Sequence, residues 1–134
     1  VTKKSIEKIV DGSVESLIIR TLPNASAKLT KKYSGNNPPY LEAGLCEFLK
    51  EKNIKHLLVD LPSVDPESDN GKLSAHRAFW NYPSQPRMDS TITEMIFVDD
   101  KIKDGIYLLN IQIASIESDA SPSKPVLYEL TNLR

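Results

Sequence analysis

Apolar residues along this chain fall into short blocks with two different spacings. In Ser16-Leu17-Ile18-Ile19-Arg20-Thr21 they run together, β-branched residues among them, and stop at Pro23-Asn24, which predicts a buried strand closed by a turn. Asp11-Gly12, just ahead, predicts another turn. From residue 40 to residue 53 the spacing changes. Leu41, Leu45, Phe48 and Leu49 recur at i, i+4, i+7 and i+8, one face of an amphipathic helix, and Pro39 lies just ahead, where a helix start tolerates proline. Ile54-Lys55-His56-Leu57-Leu58-Val59-Asp60 is again nearly continuous and predicts a second strand. Strand, helix, strand in that order suits a parallel crossover of the usual right hand.

Between the first strand and the helix, residues 22 to 39 are rich in Lys and Asn and end in Ser34-Gly35-Asn36-Asn37-Pro38-Pro39. That composition favours an irregular surface loop, and long loops of this kind often border sites. After the second strand come a loop over residues 61 to 71, a short helix over 72 to 80, a turn-rich segment with Pro83 and Pro86, and a strand over 91 to 98. Residues 105 to 114 form the longest strand candidate, alternating apolar and polar in its second half. A loop of Ser, Asp and Pro over 117 to 125 leads to a last strand over 125 to 130. There is no internal repeat, and the fold class is α/β.

The 134 residues, 15.0 kDa and 40% hydrophobic, suffice for one core and fall short of two typical domains, so residues 1–134 read as a single domain. Seventeen basic and 18 acidic residues spread along the chain give a net charge of −1, no footprint for nucleic acid or an anionic membrane. Cys46 is the only cysteine and excludes an internal disulfide; on the apolar helical stripe it reads as a reduced core thiol. No apolar run approaches the ~18 residues of a membrane span, and the N-terminus lacks a signal-peptide pattern, so a cytoplasmic home is expected.

Candidate chemistry gathers between His56 and Glu94. Asp60 closes a parallel strand at its carboxyl end, where open α/β sheets bind ligands, and reads either as a functional carboxylate or as a loop cap. Ser63 and Asp65 lie in the loop that follows; Asp65, before Pro66, reads first as a turn residue, and Ser63 can bind backbone amides as readily as a substrate. His76, on the short helix, is open to three readings: metal ligand, general base, or ordinary half-exposed residue. Glu94 within Ile92-Thr93-Glu94-Met95-Ile96-Phe97 is costly to bury unless paired or metal-bound, and otherwise faces water from an edge strand. His56 reads as a surface residue. The 18-residue separation of His76 and Glu94 matches no short zinc signature.

Several segments together carry a resemblance: Leu17-Ile18-Ile19-Arg20-Thr21, Asn37-Pro38-Pro39-Tyr40-Leu41, Asp60-Leu61-Pro62-Ser63-Val64-Asp65, His76-Arg77-Ala78-Phe79, Thr93-Glu94-Met95-Ile96 and the late turn Ile116-Glu117-Ser118-Asp119-Ala120-Ser121-Pro122. From about residue 14 to about residue 128 the chain resembles the cyclase family that includes the bacterial kynurenine formamidases. The resemblance implies a three-layer, swivelling β/β/α fold. It also implies a metal-dependent hydrolase, using zinc or manganese, that cleaves a formamide, amide or cyclic amide or ester bond of a small-molecule substrate with a metal-activated water. Carried over by motif, His76 and Glu94 would be metal ligands, with Asp60, Ser63 and Asp65 around the pocket. The segments 23 to 39 and 81 to 90 would shape its mouth.

One departure from the family pattern bears on all of this. Members carry an early His-x-Gly-Thr-His-x-Asp motif that supplies most metal ligands and an acid/base group, and this sequence, with only His56 and His76, lacks it. A start at Val1 without methionine suggests the C-terminal portion of a longer enzyme, incomplete at the N-terminus. Two ligands alone should hold zinc poorly, so the 134 residues by themselves are expected to bind no zinc and to be inactive. Uncovered strand edges would favour a homodimer or higher homo-oligomer. A non-catalytic binding or scaffolding domain that keeps the fold is the alternative function.

Overall fold

The structure is a computed structural model that describes residues 1–10 and 12–130. The Asp11-Gly12 turn therefore lies partly outside the described residues; Gly12 itself has φ of +86°, a conformation glycine adopts without steric cost. The chain forms two compact units, Val1–Val98 and Asp99–Arg134.

In the first unit, strands β1 (Ser16–Ile19), β2 (His56–Val59) and β3 (Thr91–Thr93) make a parallel sheet in the order β1-β2-β3. Leu17 pairs with Leu57, and Leu57 with Ile92. Helix α1 (Ala43–Glu51) joins β1 to β2, α2 (Ser74–Trp80) joins β2 to β3, and the two helices pack against each other. Leu57, Leu58 and Val59 of the central strand are fully buried. A strand covered on both faces has no wet face on which to place polar residues, which accounts for its near-continuous apolar run. Around it pack Leu41, Leu45, Leu49, Ile54, Val64 and Phe79.

α1 buries Leu45, Cys46, Phe48 and Leu49, the face its spacing predicts. It begins three residues later than that spacing suggests: Glu42 is extended, with ψ of 141°, and the amides of Leu41 and Glu42 tie this segment to Val64 O (2.9 Å) and Val1 O (3.0 Å). Leu41 is nonetheless buried against the same core. At the other end Asn53 adopts φ of +59°, Asn53 N donates to Lys50 O and Ile54 N to Leu49 O, both at 3.0 Å. This Schellman closure satisfies carbonyls the helix leaves open and turns the chain into β2.

Three further expectations change. The loop over 22 to 39 contains a 3-10 turn at Ser26–Thr30, held in place by Lys28, as described below. The strand expected over 91 to 98 ends at Thr93, since Met95 turns the backbone with φ of +59° and its amide bonds Leu61 O (2.9 Å) instead of continuing the ladder. Glu94 therefore lies just past the strand, at its carboxyl end. The helix expected from residue 72 starts at Ser74, because Asp69 accepts the amides of Gly71 (2.8 Å) and Leu73 (2.6 Å).

In the second unit, β4 (Tyr107–Ile113) and β5 (Ser123–Glu129) form an antiparallel hairpin in which Leu109 pairs with Leu127. Pro125 sits opposite Ile111, a position open to proline in a two-stranded ribbon, where every strand is an edge. Among the described residues no helix is long and apolar enough to cross a membrane.

Cys46 is buried, and burial pushes its thiol up to about 12. The thiolate is the reactive form. The folded protein is therefore expected to leave Cys46 unmodified by a disulfide reagent at mildly alkaline pH and to react fully once unfolded; rapid labelling of the native protein would contradict this burial. A second expectation concerns Met95, which is 62% exposed in a conformation that costs most residues about 1–2 kcal/mol. Met95→Gly should keep or raise stability, whereas Met95→Val, β-branched, should lower it by about 1 kcal/mol or more, as read by denaturant unfolding.

Candidate functional site

All three strands of the parallel sheet point their carboxyl ends the same way, and the polar residues just past those ends include Arg20, Thr21, Asp60 and Glu94. This edge is where open α/β sheets place their ligands. Two carboxylates are buried here, and each is satisfied in a different manner.

Asp60 has no exposed side-chain surface. Its Oδ2 accepts from Thr21 N (2.9 Å) and lies 2.7 Å from Lys28 Nζ, while Oδ1 accepts from Thr21 Oγ (3.0 Å). Lys28 Nζ also donates to Thr21 O (2.5 Å) and Thr21 Oγ1 (3.0 Å), and only 15% of its side chain is exposed. The lysine ties the 3-10 turn of the 22 to 39 segment to the sheet edge. Asp60 is thus paired with a cation and accepts from Thr21 through both of its oxygens.

Asp65 is equally enclosed, with 3% of its side chain exposed. It reaches beyond its own turn: Oδ1 accepts from Ala75 N (2.6 Å), Oδ2 accepts from His76 N (3.3 Å) and stands 2.6 Å from His76 Nδ1. The carboxylate therefore caps the first turn of α2, whose own preceding residue, Leu73, has no capping side chain and sits at φ of +48°. Ser63 supports it from below, its Oγ accepting from Asp65 N (3.1 Å).

His76 is the meeting point. Its ring is 18% exposed, with Nδ1 on Asp65 and Nε2 3.5 Å from Glu94 Oε1. The ring of Trp80, four residues on along α2, stands 5.2 Å away centroid to centroid and tilted by 49°. Glu94, 28% exposed, is held from the other side by Val64 N, which donates to Oε1 at 2.8 Å. The structure thus brings His76, Glu94, Asp65 and Ser63 into one cluster and sets Asp60 in a separate ion-paired one. His56 is half-buried in β2, with Nδ1 3.0 Å from Thr91 Oγ1. A shallow depression of about 490 Å³ lies elsewhere, lined by Lys50, Asn81, Gln85, Arg87, Met88 and Asp89; the 81 to 90 segment shapes it, and none of the cluster residues borders it.

Sequence reasoning did not single out Lys28, which carries no local signal, or Trp80, whose i, i+4 spacing from His76 was the available clue.

The donor set matches zinc only in part. A tetrahedral ion with ligands at about 2.0–2.1 Å needs neighbouring donors about 3.4 Å apart, and His76 Nε2 and Glu94 Oε1 stand at 3.5 Å. The pair therefore fits two positions of such a site. Asp65 contacts the opposite ring nitrogen and does not reach the same ion. Among the described residues no group of three or more His, Cys, Asp or Glu side chains is arranged to hold a metal ion.

A parallel α/β sheet with a histidine held between two carboxylates at its carboxyl edge is an arrangement suited to enzymes, and proteins similar to this chain carry enzyme names. It is 32% identical over 126 residues to the kynurenine formamidases of Bacillus anthracis and of Bacillus cereus strain ATCC 14579, and 29% identical over 128 residues to that of Bacillus cytotoxicus. These alignments cover 93 to 95% of this chain and 54 to 56% of the relatives, so the chain spans about half the length of the curated relatives it matches. The likeness to the kynurenine formamidase-like family read from the motifs is borne out by these relatives. No family model matches the chain.

The Asp60–Lys28 pair can be tested by mutation. Removing one member of a buried ion pair leaves an uncompensated charge, typically at about 3–5 kcal/mol. Lys28→Met and Asp60→Ala are each expected to lower unfolding free energy by about 3 kcal/mol, and the double variant by clearly less than the sum. Strict additivity in that cycle would mean the two side chains are not coupled.

Proposed function

We propose that this chain is the C-terminal portion of one cyclase-family domain of the three-layer β/β/α type. In the complete protein it would serve a metal-dependent hydrolase that cleaves the C–N bond of a formamide, or a related amide or cyclic amide or ester. The observation that carries the reading is the His76 Nε2–Glu94 Oε1 pair, 3.5 Å apart at the carboxyl edge of the parallel sheet, in a chain whose relatives are named kynurenine formamidase.

In this reading His76 and Glu94 supply two of the ligands of a zinc or manganese ion, and the family's histidine-rich motif, absent from these 134 residues, supplies the others. When bound, the ion polarises the scissile carbonyl and makes water a usable nucleophile near neutral pH. The chain's own residues do the rest of the local work. Val64 N–H holds one oxygen of Glu94, the tilted ring of Trp80 packs beside the imidazole, and the three buried residues Asp60, Asp65 and Val64 keep the strand-end loops from relaxing into solvent. The same reading makes the protein a homodimer or larger homo-oligomer.

The test begins upstream. A reading frame encoding His-x-Gly-Thr-His-x-Asp ahead of Val1, together with zinc- or manganese-supported hydrolysis of an aryl formamide by the complete protein, is the expected result. In that protein His76→Ala and Glu94→Ala should each lower kcat/KM by about 10²–10³-fold, the loss of several kcal/mol of charge stabilisation. The 134-residue chain alone should retain no zinc after dialysis and show no turnover. Stoichiometric zinc or hydrolysis by it would overturn the half-site reading, and full activity in either alanine variant would remove that residue from the site.

A further inference from the structure

We propose that Asp65 is a positioning residue: it fixes His76 as the Nδ1–H tautomer and so turns the Nε2 lone pair toward Glu94. The inference deepens the hydrolase reading and rests on it for the use made of that lone pair, but not for the tautomer itself.

An ionised carboxylate has no hydrogen to give. Asp65 Oδ2 stands 2.6 Å from His76 Nδ1, and both oxygens already accept backbone amides of α2, Ala75 N at 2.6 Å and His76 N at 3.3 Å. The hydrogen between Oδ2 and Nδ1 must then belong to the imidazole. With Nδ1 protonated, the neutral ring has its lone pair on Nε2, which faces Glu94 Oε1 at 3.5 Å. Two like acceptors facing each other across that gap make a place that a cation, or a proton, would bridge.

The support of this geometry is a dipeptide. Val64 N–H holds Glu94 Oε1 at 2.8 Å, and the next residue, Asp65, holds His76. Val64 is itself fully buried, and its carbonyl accepts from Leu41 N at 2.9 Å. Two consecutive residues of one anchored loop thus set the spacing between the two candidate ligands. Because the same carboxylate caps α2, the start of the helix and the orientation of the ring are fixed by one group.

A purely structural Asp65, capping α2 and nothing more, makes a different prediction. In Asp65→Asn the side-chain carbonyl can still accept from Ala75 N, while the amide now offers a donor to Nδ1. The cap survives, and the imidazole proton is driven to Nε2. The measurement is a long-range ¹H–¹⁵N correlation spectrum of the imidazole nitrogens in the chelator-treated protein. It is recorded at about pH 8.5, two units above the ordinary histidine pKa, with His76→Gln identifying the His76 signals by their loss.

The wild-type spectrum is expected to show Nδ1 protonated and Nε2 bare, and Asp65→Asn to shift the Nε2 signal into the protonated range with the His56 signals unchanged. A wild-type His76 that carries its proton on Nε2, or that averages between tautomers as free imidazole does, overturns the proposal without need of any variant. A folded Asp65→Asn protein with an unaltered His76 spectrum overturns it as well. Added Zn²⁺, given to the complete protein that carries the upstream histidine-rich motif, separates this from the hydrolase reading. If Zn²⁺ moves the His76 Nε2 signal, with an affinity about 10- to 100-fold weaker in Asp65→Asn, both stand. If the tautomer is as expected and Zn²⁺ moves nothing, the positioning role stands and the metal reading fails.

Discussion

Leu57, Leu58 and Val59 have no contact with water on either side of the sheet, and the rest of the first unit follows from having to cover them. A central strand with two apolar faces requires neighbours along both edges and helices above or below, and short parallel pairing with a helix in each crossover is the economical way to provide them. Parallel pairing then has a chemical by-product. It brings the carboxyl ends of β1, β2 and β3 to one edge, so Thr21 and Asp60, far apart in the chain, become hydrogen-bonded neighbours, and Glu94 lies just past a strand at that same edge.

Placing acidic residues at the end of an apolar strand and in the loop that follows creates a problem of burial, since an unpaired carboxylate inside a protein is very unfavourable. The protein solves it twice with different partners. Asp60 is matched by a full positive charge from Lys28 and by the amide and hydroxyl of Thr21. Asp65 is matched by two backbone amides and one imidazole, which leaves the far nitrogen of that imidazole facing outward to Glu94. The first solution fastens a loop. The second leaves a histidine oriented and ready for use.

How much of this could be read beforehand depends on where the information lies. β1, α1 and β2 were legible because their apolar spacing is a direct imprint of burial. Their ends were less so: the late start of α1 and the early end of β3 are decided by hydrogen bonds from Leu41 to Val64 and from Met95 to Leu61, and such long-range pairings leave no local pattern. His76 and Glu94, 18 residues apart, came forward as a pair only through resemblance, since no helical or turn spacing links them. Asp65 was visible as a turn residue, yet its reach to a helix ten residues on was not, and Lys28 sits in a loop whose composition suggested solvent.

Trp80 rests against the ring of His76 at 5.2 Å, with its indole N–H bonded to Ser90 O at 3.1 Å, and it is the only tryptophan among the 134 residues. Excited at the red edge of its absorption, where the five tyrosines do not absorb, this chain accordingly emits from a single indole whose immediate neighbour is the candidate site. Whatever alters the charge or occupancy of that imidazole is translated into light intensity by the fold itself, with no label attached.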